Sequence, residues 1–375
     1  MKVCLSVSTL NYPQGGGHRW VFLNWALGLQ CNGCEVTWLD AIDRRTSAEQ
    51  IEERLKGLRA AISPYGFGQC ICLSSREGTP LPSEYPGSCL PLEAAYEADL
   101  LLNFNYDLVS EEVRRFRRSA LVDLDPGILQ INLANGSTRI GTHDCYFSIG
   151  ETVGTPGAGF PDAGLRWQHT KPCVAVDYWP VARAEMDAPF TTVTHWWMDE
   201  WIVMKNDVSY YRNDKRSGFK PFLSLPRIAP GCFELALALD GDSAEQVRLE
   251  KKGWRVRDAH KTAGTTADFQ TYVQQSKGEF SCCKPAYAKL QTGWVSDRTL
   301  CYLASGKPAI VQDTGSRYLP NAAGLFRFRT LEEAKRQVEI VSSDYERQCE
   351  LARSVALEHF SAERVVRELL NWAVG

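Results

Sequence analysis

The 375-residue sequence lacks long apolar runs, because no hydrophobic stretch approaches the roughly 18–20 residues that a helix needs to cross a bilayer. It also lacks a dominant charge: the formal net charge is −3, and acidic and basic residues are interspersed along the chain. General nucleic-acid binders usually carry a basic domain or stripe. We therefore expect neither a membrane span nor a nucleic-acid partner.

Spacings typical of metal or disulfide sites are also missing. Thirteen cysteines are scattered along the chain, and no second ligand pair accompanies the CxxC of Cys31 and Cys34. An odd number of cysteines favours free thiols in a reducing compartment. The residues after Met1 are predicted to form a strand and not a secretory signal. We expect a cytoplasmic protein, and the sequence makes no prediction of its oligomeric state.

What the sequence does contain is an alternation of short strands and helices that recurs in both halves. This favours an α/β fold with mostly parallel sheets, and the chain length favours two domains. We expect a Rossmann-like, doubly wound N-terminal domain over 1–185 and a similar domain over 186–355. A C-terminal helix over 356–375 is expected to pack back on the first domain. The predicted strands are 2–9, 33–40, 99–104, 119–125, 146–149, 173–179, 190–194, 233–238, 254–258, 278–283 and 308–312.

Two regions between these strands lack a clear period. Residues 63–92 are rich in Gly, Pro, Ser and Cys, and we expect an irregular excursion there. Residues 150–172 carry many Gly and Pro and are expected to form a loop near a cleft between the domains. The linker is placed at 181–189.

The stretch 278–315 carries the strongest functional signal. It predicts strand, helix, loop, helix and strand, with Ser296 as the N-cap of the second helix and Gly306 ending it. The turn from Gly293 to Thr299 offers backbone N–H groups at a helix start, which favours an anion. The second strand ends in Gln312-Asp313, at the sheet edge where open α/β sheets bind ligands. We expect a diphosphate at this helix and a sugar against Gln312-Asp313.

A glycine-rich loop follows the first predicted strand and ends in His18. Glycines allow a backbone to approach a ligand closely, and the candidate binding residues here are Gly16 and Gly17. The loop lacks the GxGxxG spacing and the Walker lysine, so it supports neither a dinucleotide nor a P-loop site. A plain tight turn is the alternative. Further along, Asp123 and Asp125 match a metal-binding DxD pattern or a structural strand exit.

These features resemble the GT-B glycosyltransferases, whose two Rossmann-like domains face each other across a cleft. Segments WRVRDAHKTAG, TGWVSDRT and VQDTG occur in the order of the nucleotide motif of plant-type inverting members, with Gln312-Asp313 in reversed order and the motif's histidine absent. Passages such as GGGHRWVFLNWALGL and GWVSDRTLCYLASGKPAIVQDTG also look like those of uncharacterised bacterial glycosyltransferase-like proteins. The resemblance implies transfer from a nucleotide-diphosphate sugar, UDP- or dTDP-linked, to a small-molecule acceptor.

The resemblance also implies site roles. His18 is the expected catalytic base, and Glu151 is a second candidate for base or acceptor contact. Retaining members usually carry two glutamates eight positions apart; Glu279 is followed at that distance by Tyr287, which favours inversion. Displacement assisted by the helix dipole and an arginine would need no metal or other cofactor. The expected donor-binding residues are Gly16, Gly17, Asp258, Ala259, His260, Lys284, Gly293, Ser296, Asp297, Arg298, Thr299, Gln312 and Asp313.

Three alternatives remain open at this point. A nucleotide-sugar 2-epimerase would use the same scaffold without an acceptor pocket. A catalytically inactive sugar-nucleotide-binding protein would keep only the donor site. The cluster around Arg298 also fits a well-capped structural helix with an arginine in solvent.

Overall fold

The computed structural model describes residues 1–43, 45–75, 89–185, 187–204 and 209–375. Its core is two fully parallel sheets of seven and six strands, accompanied by one antiparallel two-stranded ribbon. Helices cover the sheets, so most strand residues are buried on both faces. This is the doubly wound α/β architecture predicted for both halves of the chain.

The first domain has strand order β3-β2-β1-β4-β5-β6-β7. Apolar strands such as KVCLSV are buried throughout after their first residue. Helix α2 starts at a capping box in which Ser47 and Gln50 satisfy each other's backbone N–H groups. Its strands are β1 Lys2–Val7, β2 Glu35–Ile42, β3 Ile71–Ser75, β4 Leu100–Asn103, β5 Ser119–Asp123, β6 Cys145–Ser148 and β7 Trp167–His169, and its helices are α1 Gly16–Cys31, α2 Ala48–Ile62, α3 Leu92–Tyr96, α4 Ser110–Val113 and α5 Ile128–Asn135.

The second domain has strand order β12-β11-β8-β13-β14-β15, and its topology reverses between β8 and β13. The antiparallel ribbon of β9 and β10 is inserted after β8. The strands are β8 Phe190–His195, β9 Trp201–Met204, β10 Ser209–Arg212, β11 Phe233–Ala238, β12 Arg255–Asp258, β13 Gly278–Ser281, β14 Ala309–Gln312 and β15 Leu325–Phe328, and the helices are α6 Lys215–Phe219, α7 Ser243–Glu250, α8 Ala259–Ala263, α9 Thr266–Gln275, α10 Pro285–Leu290, α11 Asp297–Ala304 and α12 Leu331–Ser343.

Two C-terminal helices, α13 Tyr345–Phe360 and α14 Ala362–Val374, complete the chain. Helix α14 returns to the first domain and packs on α1, where a Cβ at Gly28 would lie 2.6 Å from Val366. Arg353 on α13 hydrogen-bonds backbone groups of both domains where the chain crosses between them. Its guanidinium donates to the carbonyls of Trp179, at 2.8 Å, and Ala304.

The main departures from the sequence-based expectations are short elements. The excursion over 63–92 contains β3, while 76–88 lies outside the described residues. Residues 173–179 do not return to the sheet: Val174 forms an isolated bridge with Ser361, and a 3-10 turn spans Val176–Tyr178. Strands β7 and β15 and the β9–β10 ribbon were missed because edge and ribbon strands of three or four residues show almost no period.

Candidate active site

The carboxyl ends of the two sheets face each other across a cleft that is closed at three points. Loops after β1, β5 and β6 of the first domain make these contacts. Gly16 and Gly17 lie against the second domain, because a Cβ at Gly16 would overlap the carbonyl oxygen of Thr265 and one at Gly17 would lie 2.7 Å from Phe269. These two glycines therefore allow the domains to approach each other, a use that the sequence did not indicate.

The other two contacts are carboxylates. Asp125, after β5, accepts a hydrogen bond from the Tyr287 hydroxyl at 2.7 Å. Glu151, after β6, accepts from the Ser316 hydroxyl and from the backbone N–H of Arg317 at 2.8 Å. Its side chain also packs on Gly293, which has a φ of +74° and no room for a Cβ. Glu151 is thus held against the loop that follows β14.

Helix α11 directs its N-terminus into the cleft, as the stretch 278–315 predicted. Ser296 is its N-cap residue, yet its hydroxyl makes no capping bond. Arg298 is mostly buried, and its Nε donates at 2.7 Å to Glu279, which is fully buried. The guanidinium also donates to the Val193 carbonyl and the Ser281 hydroxyl. Three of its five N–H groups are engaged, which leaves two for a ligand.

A small cavity of about 30 Å³ lies beside this helix start. Hydroxyls of Ser296, Thr299, Thr314 and Ser316 line it, together with Arg298 and Arg327. Arg327 donates to the carbonyls of Ser316 and Leu319 and lies 3.8 Å from Asp313. It stands on β15, and its contribution was missed because that strand was not predicted.

Lys215 is a further cation that sequence reasoning missed. It opens the short helix α6, and its Nζ donates to the Cys282 carbonyl at 2.7 Å. Burial, reinforced by the nearby charge of Arg298, lowers the pKa of Lys215 to about 7. Lys215 lies in no recognisable sequence motif. The β9–β10 ribbon is inserted between it and strand β8, so the lysine does not follow directly on a predicted strand.

Asp297 is the first residue of α11 and lines the cleft beside His18. Burial raises the pKa of its carboxyl to about 7, and the nearby Asp125 contributes to the rise. Its Oδ1 is buried without a hydrogen-bond partner. In its neutral form the carboxyl adds no negative charge to the helix start.

The side chains of the expected sugar-binding pair are already bonded within the protein. Gln312 Oε1 accepts from the backbone N–H of Cys283 at 3.1 Å. Asp313 is paired with Arg329 at 2.7 Å and accepts from the N–H of Gly315 at 3.0 Å. Lys284, expected to add charge at the donor site, instead pairs with Glu200 at 3.1 Å.

The residues expected to hold the nucleotide base lie at the other end of the cleft. Asp258 caps α8 by accepting from the N–H of His260 at 2.9 Å, and Ala259 is buried behind it. The imidazole of His260 stands 6.3 Å from the rings of both Tyr12 and His195. Tyr12 and His195 are themselves 4.9 Å apart. The structure therefore brings aromatic rings from both domains together at this end.

His18 lies between these rings and α11. Its Nε2 is 2.9 Å from the carbonyl oxygen of Ser8, so the tautomer that donates there leaves Nδ1 as an acceptor. Burial lowers the pKa of His18, and the charge of Arg19 adds to this effect. It lines an interdomain cleft with an empty volume of about 920 Å³ that also includes Ser296 and Arg298.

The Asp123-x-Asp125 pattern has structural partners. Asp123 is fully buried and accepts from Gln130 at 2.8 Å and from the Ser148 hydroxyl at 2.7 Å. Asp125 is bonded to Tyr287, as described above. Across the described residues, no group of three or more His, Cys, Asp or Glu side chains is arranged to hold a metal ion. Within the same residues, no helix has the length and apolar composition of a membrane span.

Comparison with known proteins adds the fold family. No protein-family model and no curated protein sequence matches the chain. Solved structures do: an alpha-glucosyltransferase in complex with UDP-glucose and DNA containing an abasic site is similar at 12% identity and a TM-score of 0.59, covering 100% of both chains. The HepE protein of Anabaena in complex with UDP and glucose is similar at 12% identity and a TM-score of 0.57, covering 99% of both.

AviGT4, a glycosyltransferase involved in avilamycin A biosynthesis, is also similar, at 12% identity and a TM-score of 0.56, covering 100% of this chain and 97% of that one. These similarities show that the chain has the GT-B fold, which confirms the fold predicted from the sequence.

Proposed function

We propose that the protein is a glycosyltransferase that moves a sugar from a nucleotide-diphosphate sugar, UDP- or dTDP-linked, to an acceptor hydroxyl. The observation that carries this proposal is the order of groups along the cleft. Aromatic rings around His260 lie at one end, the start of α11 with Arg298 lies in the middle, and the Gln312-Asp313 loop lies at the other end. This order matches a base, a diphosphate and a sugar laid end to end.

The middle of the cleft suits a diphosphate for electrostatic reasons. The positive end of the α11 dipole, Lys215, Arg298 and Arg327 lie close together. Arginine N–H groups that stay unpaired can bond phosphate oxygens in pairs. The same charges would stabilise the diphosphate as it leaves, so the proposed reaction needs no metal.

The opposing wall supplies two candidates for proton removal. His18 faces the helix start, beside the proposed diphosphate, whereas Glu151 faces the loop beside the proposed sugar. A base must touch the attacking hydroxyl, which approaches the sugar. We therefore assign proton removal to Glu151 and place His18 at the donor. This assignment reverses the sequence-based expectation, in which His18 was the first candidate for the base.

The proposed stereochemistry is inversion. A second glutamate is replaced by Tyr287, whose hydroxyl bonds Asp125, and Glu279 is held by Arg298. Position 287 therefore offers no carboxylate, and the carboxylate of Glu279 is bonded to Arg298 and not free to face a sugar as nucleophile. The anomeric configuration of the product, followed by proton NMR at early times, tests this assignment; retention would contradict it.

Thermal-shift measurements with UDP-, dTDP- and GDP-sugars test the donor site. A ligand that binds only the folded protein raises its melting temperature, by an amount set by the ratio of its concentration to its Kd. We expect UDP- or dTDP-sugars to give the larger shift, and Lys215→Met to reduce it. If no nucleotide sugar changes the melting temperature at millimolar concentration, the proposed function is wrong.

A further inference from the structure

A broad groove lies next to Glu151, outside the donor cleft. Its volume is about 500 Å³. Loops after β6, β7 and β14 and helix α14 form its walls. Glu151 lines this groove, while its bonded partner Ser316 lines the small cavity beside α11. One hydrogen-bonded pair of side chains therefore separates the groove from the proposed donor site.

The groove combines one exposed and one partly exposed aromatic ring with unpaired polar groups. Trp372 on α14 is 65% exposed, which is unusual for a tryptophan, and Tyr318 lies with it in the groove wall. Lys171 Nζ stands 4.7 Å from the centre of the Tyr318 ring. Within the described part of the chain, the side chains of Glu368 and Asn371 make no hydrogen bond, so their polar atoms face solvent in the groove.

We propose that this groove is the acceptor subsite and that it takes a saccharide, an inference that rests on the proposed glycosyl transfer. A sugar ring presents C–H groups on its faces and hydroxyls at its edge. It can therefore pack a face on an aromatic ring such as Trp372 while bonding side chains that donate, such as Lys171, and ones that accept, such as Glu368.

The charges in the groove argue against a nucleic-acid acceptor. Among the described residues that line the groove, Glu151 and Glu368 are acidic, and Lys171 is the single lysine or arginine. A phosphate backbone is held by clusters of lysine and arginine, which this surface does not offer. A neutral saccharide carries no charge that the two carboxylates would repel.

The groove also places an acceptor in reach of the base. The oxygen of a saccharide hydroxyl forms a bond to the anomeric carbon of the donor, and the bond from that carbon to the diphosphate oxygen breaks. The nucleoside diphosphate leaves with the bonding electron pair, and the hydroxyl proton passes to Glu151. A carboxylate has four acceptor positions, so Glu151 can take this hydroxyl while it keeps its bonds to Ser316 and Arg317.

Saturation-transfer NMR with defined ligands tests the proposal on the full-length protein. The panel is glucose, galactose, mannose, N-acetylglucosamine, maltose, cellobiose, lactose and p-nitrophenol, with and without UDP. The test variant is Trp372→Ala, and the matched control is Trp201→Ala, which removes a tryptophan that is 39% exposed on the β9–β10 ribbon. Trp372 is at an exposed position, where stability effects are usually within about 0.5 kcal/mol. Trp201→Ala also removes a ring that stacks on Tyr210 at 4.4 Å, so urea unfolding of both variants checks that each is folded.

We expect at least one saccharide to show a saturation-transfer signal with the wild type and with Trp201→Ala, and to lose roughly two- to tenfold in affinity in Trp372→Ala, the range that stacked aromatic contacts of about 0.5–1.5 kcal/mol give. UDP signals should be the same in all three proteins. The proposal is overturned if no saccharide binds, if saccharide affinity is unchanged in Trp372→Ala, or if only p-nitrophenol depends on Trp372. Absence of UDP binding, by contrast, contradicts the proposed function. The saccharide result then still tests whether the groove binds a saccharide.

Discussion

The two walls of the cleft differ in charge. The second domain presents cations and hydroxyls, with Lys215, Arg298 and Arg327 around the start of α11. The first domain presents hydrogen-bond acceptors: the carboxylates of Asp125 and Glu151 accept hydrogen bonds from groups of the second domain. The difference fits the proposed function, in which the second domain would hold an anionic donor and the first would remove a proton.

The largest expected effect concerns Glu151, on the first-domain wall of the cleft. Glu151→Gln keeps the size of the side chain and one oxygen that can accept from either the Ser316 hydroxyl or the Arg317 N–H, and it removes the basic carboxylate. We expect kcat for transfer to fall by about 10²–10⁴-fold, the usual contribution of a general base, while the shift in melting temperature with UDP stays unchanged. Steady-state kinetics and thermal shift measure the two separately.

His18→Ala is the comparison variant for this test. Because His18 lies beside the proposed diphosphate, we expect weaker donor binding and a kcat that is reduced far less than in Glu151→Gln. If His18→Ala abolishes transfer and Glu151→Gln does not, the roles of the two side chains are the reverse of those proposed.

On the second-domain wall of the cleft, Arg298→Ala should lower the free energy of unfolding by about 3–5 kcal/mol. The reason is that Glu279, with none of its side chain exposed, would keep a buried charge without its partner. Urea unfolding measures this loss. The double variant Glu279→Ala with Arg298→Ala should lose less than the sum of the two single variants; additive losses would show that the ion pair does not couple them.

The contact between the walls can be tested at Gly16. An added Cβ would overlap backbone atoms of the α8–α9 turn, so Gly16→Ala should destabilise the protein by about 1–3 kcal/mol and raise KM for the donor. Gly57→Ala is the matched control, because this exposed glycine of α2 has only the Arg19 guanidinium near its Cβ, at 3.8 Å. It should be neutral or stabilise by up to about 1 kcal/mol. Equal effects at the two positions would contradict the closed contact.

The smallest expected effect is a pH dependence of donor affinity. The pKa of Lys215 is lowered to about 7 and that of Asp297 is raised to about 7. Below pH 7 the lysine is charged and the carboxyl is neutral, and both states favour the diphosphate. As pH rises through 7, both protons are lost and UDP-glucose affinity should fall by up to about tenfold per pH unit for each group. Calorimetry from pH 6 to 8 measures this.

Lys215→Met and Asp297→Asn should each remove part of that dependence. The same shifts affect stability with opposite signs. Unfolding frees the lysine to bind a proton, so its contribution makes stability rise from about pH 7 to 10.5. The aspartate loses a proton on unfolding, so its contribution makes stability fall between pH 3.8 and about 7. A donor affinity that is flat from pH 6 to 8 would contradict the placement of both groups.

Much of the fold could be predicted from the sequence, since its signals are local. Strand β11 was predicted with the bounds that it has, and α11 was found from its N-cap serine and the glycine that ends it. Strand β15 and the β9–β10 ribbon escaped prediction because they are edge or ribbon strands with little period. Arg327 escaped with β15, and Lys215 escaped because no motif precedes it.

The sequence by itself determined the two α/β halves, the glycine loop and the start of helix α11, because hydrophobic period and helix caps depend on neighbours in the chain. Only the tertiary structure decided which side chains there are free. It ties Arg298 to Glu279, Asp313 to Arg329, and Glu151 to a hydroxyl 165 positions away. Such bonds form between elements that only packing brings together, so the site's free groups, and the groove beside Glu151, are properties of the folded chain.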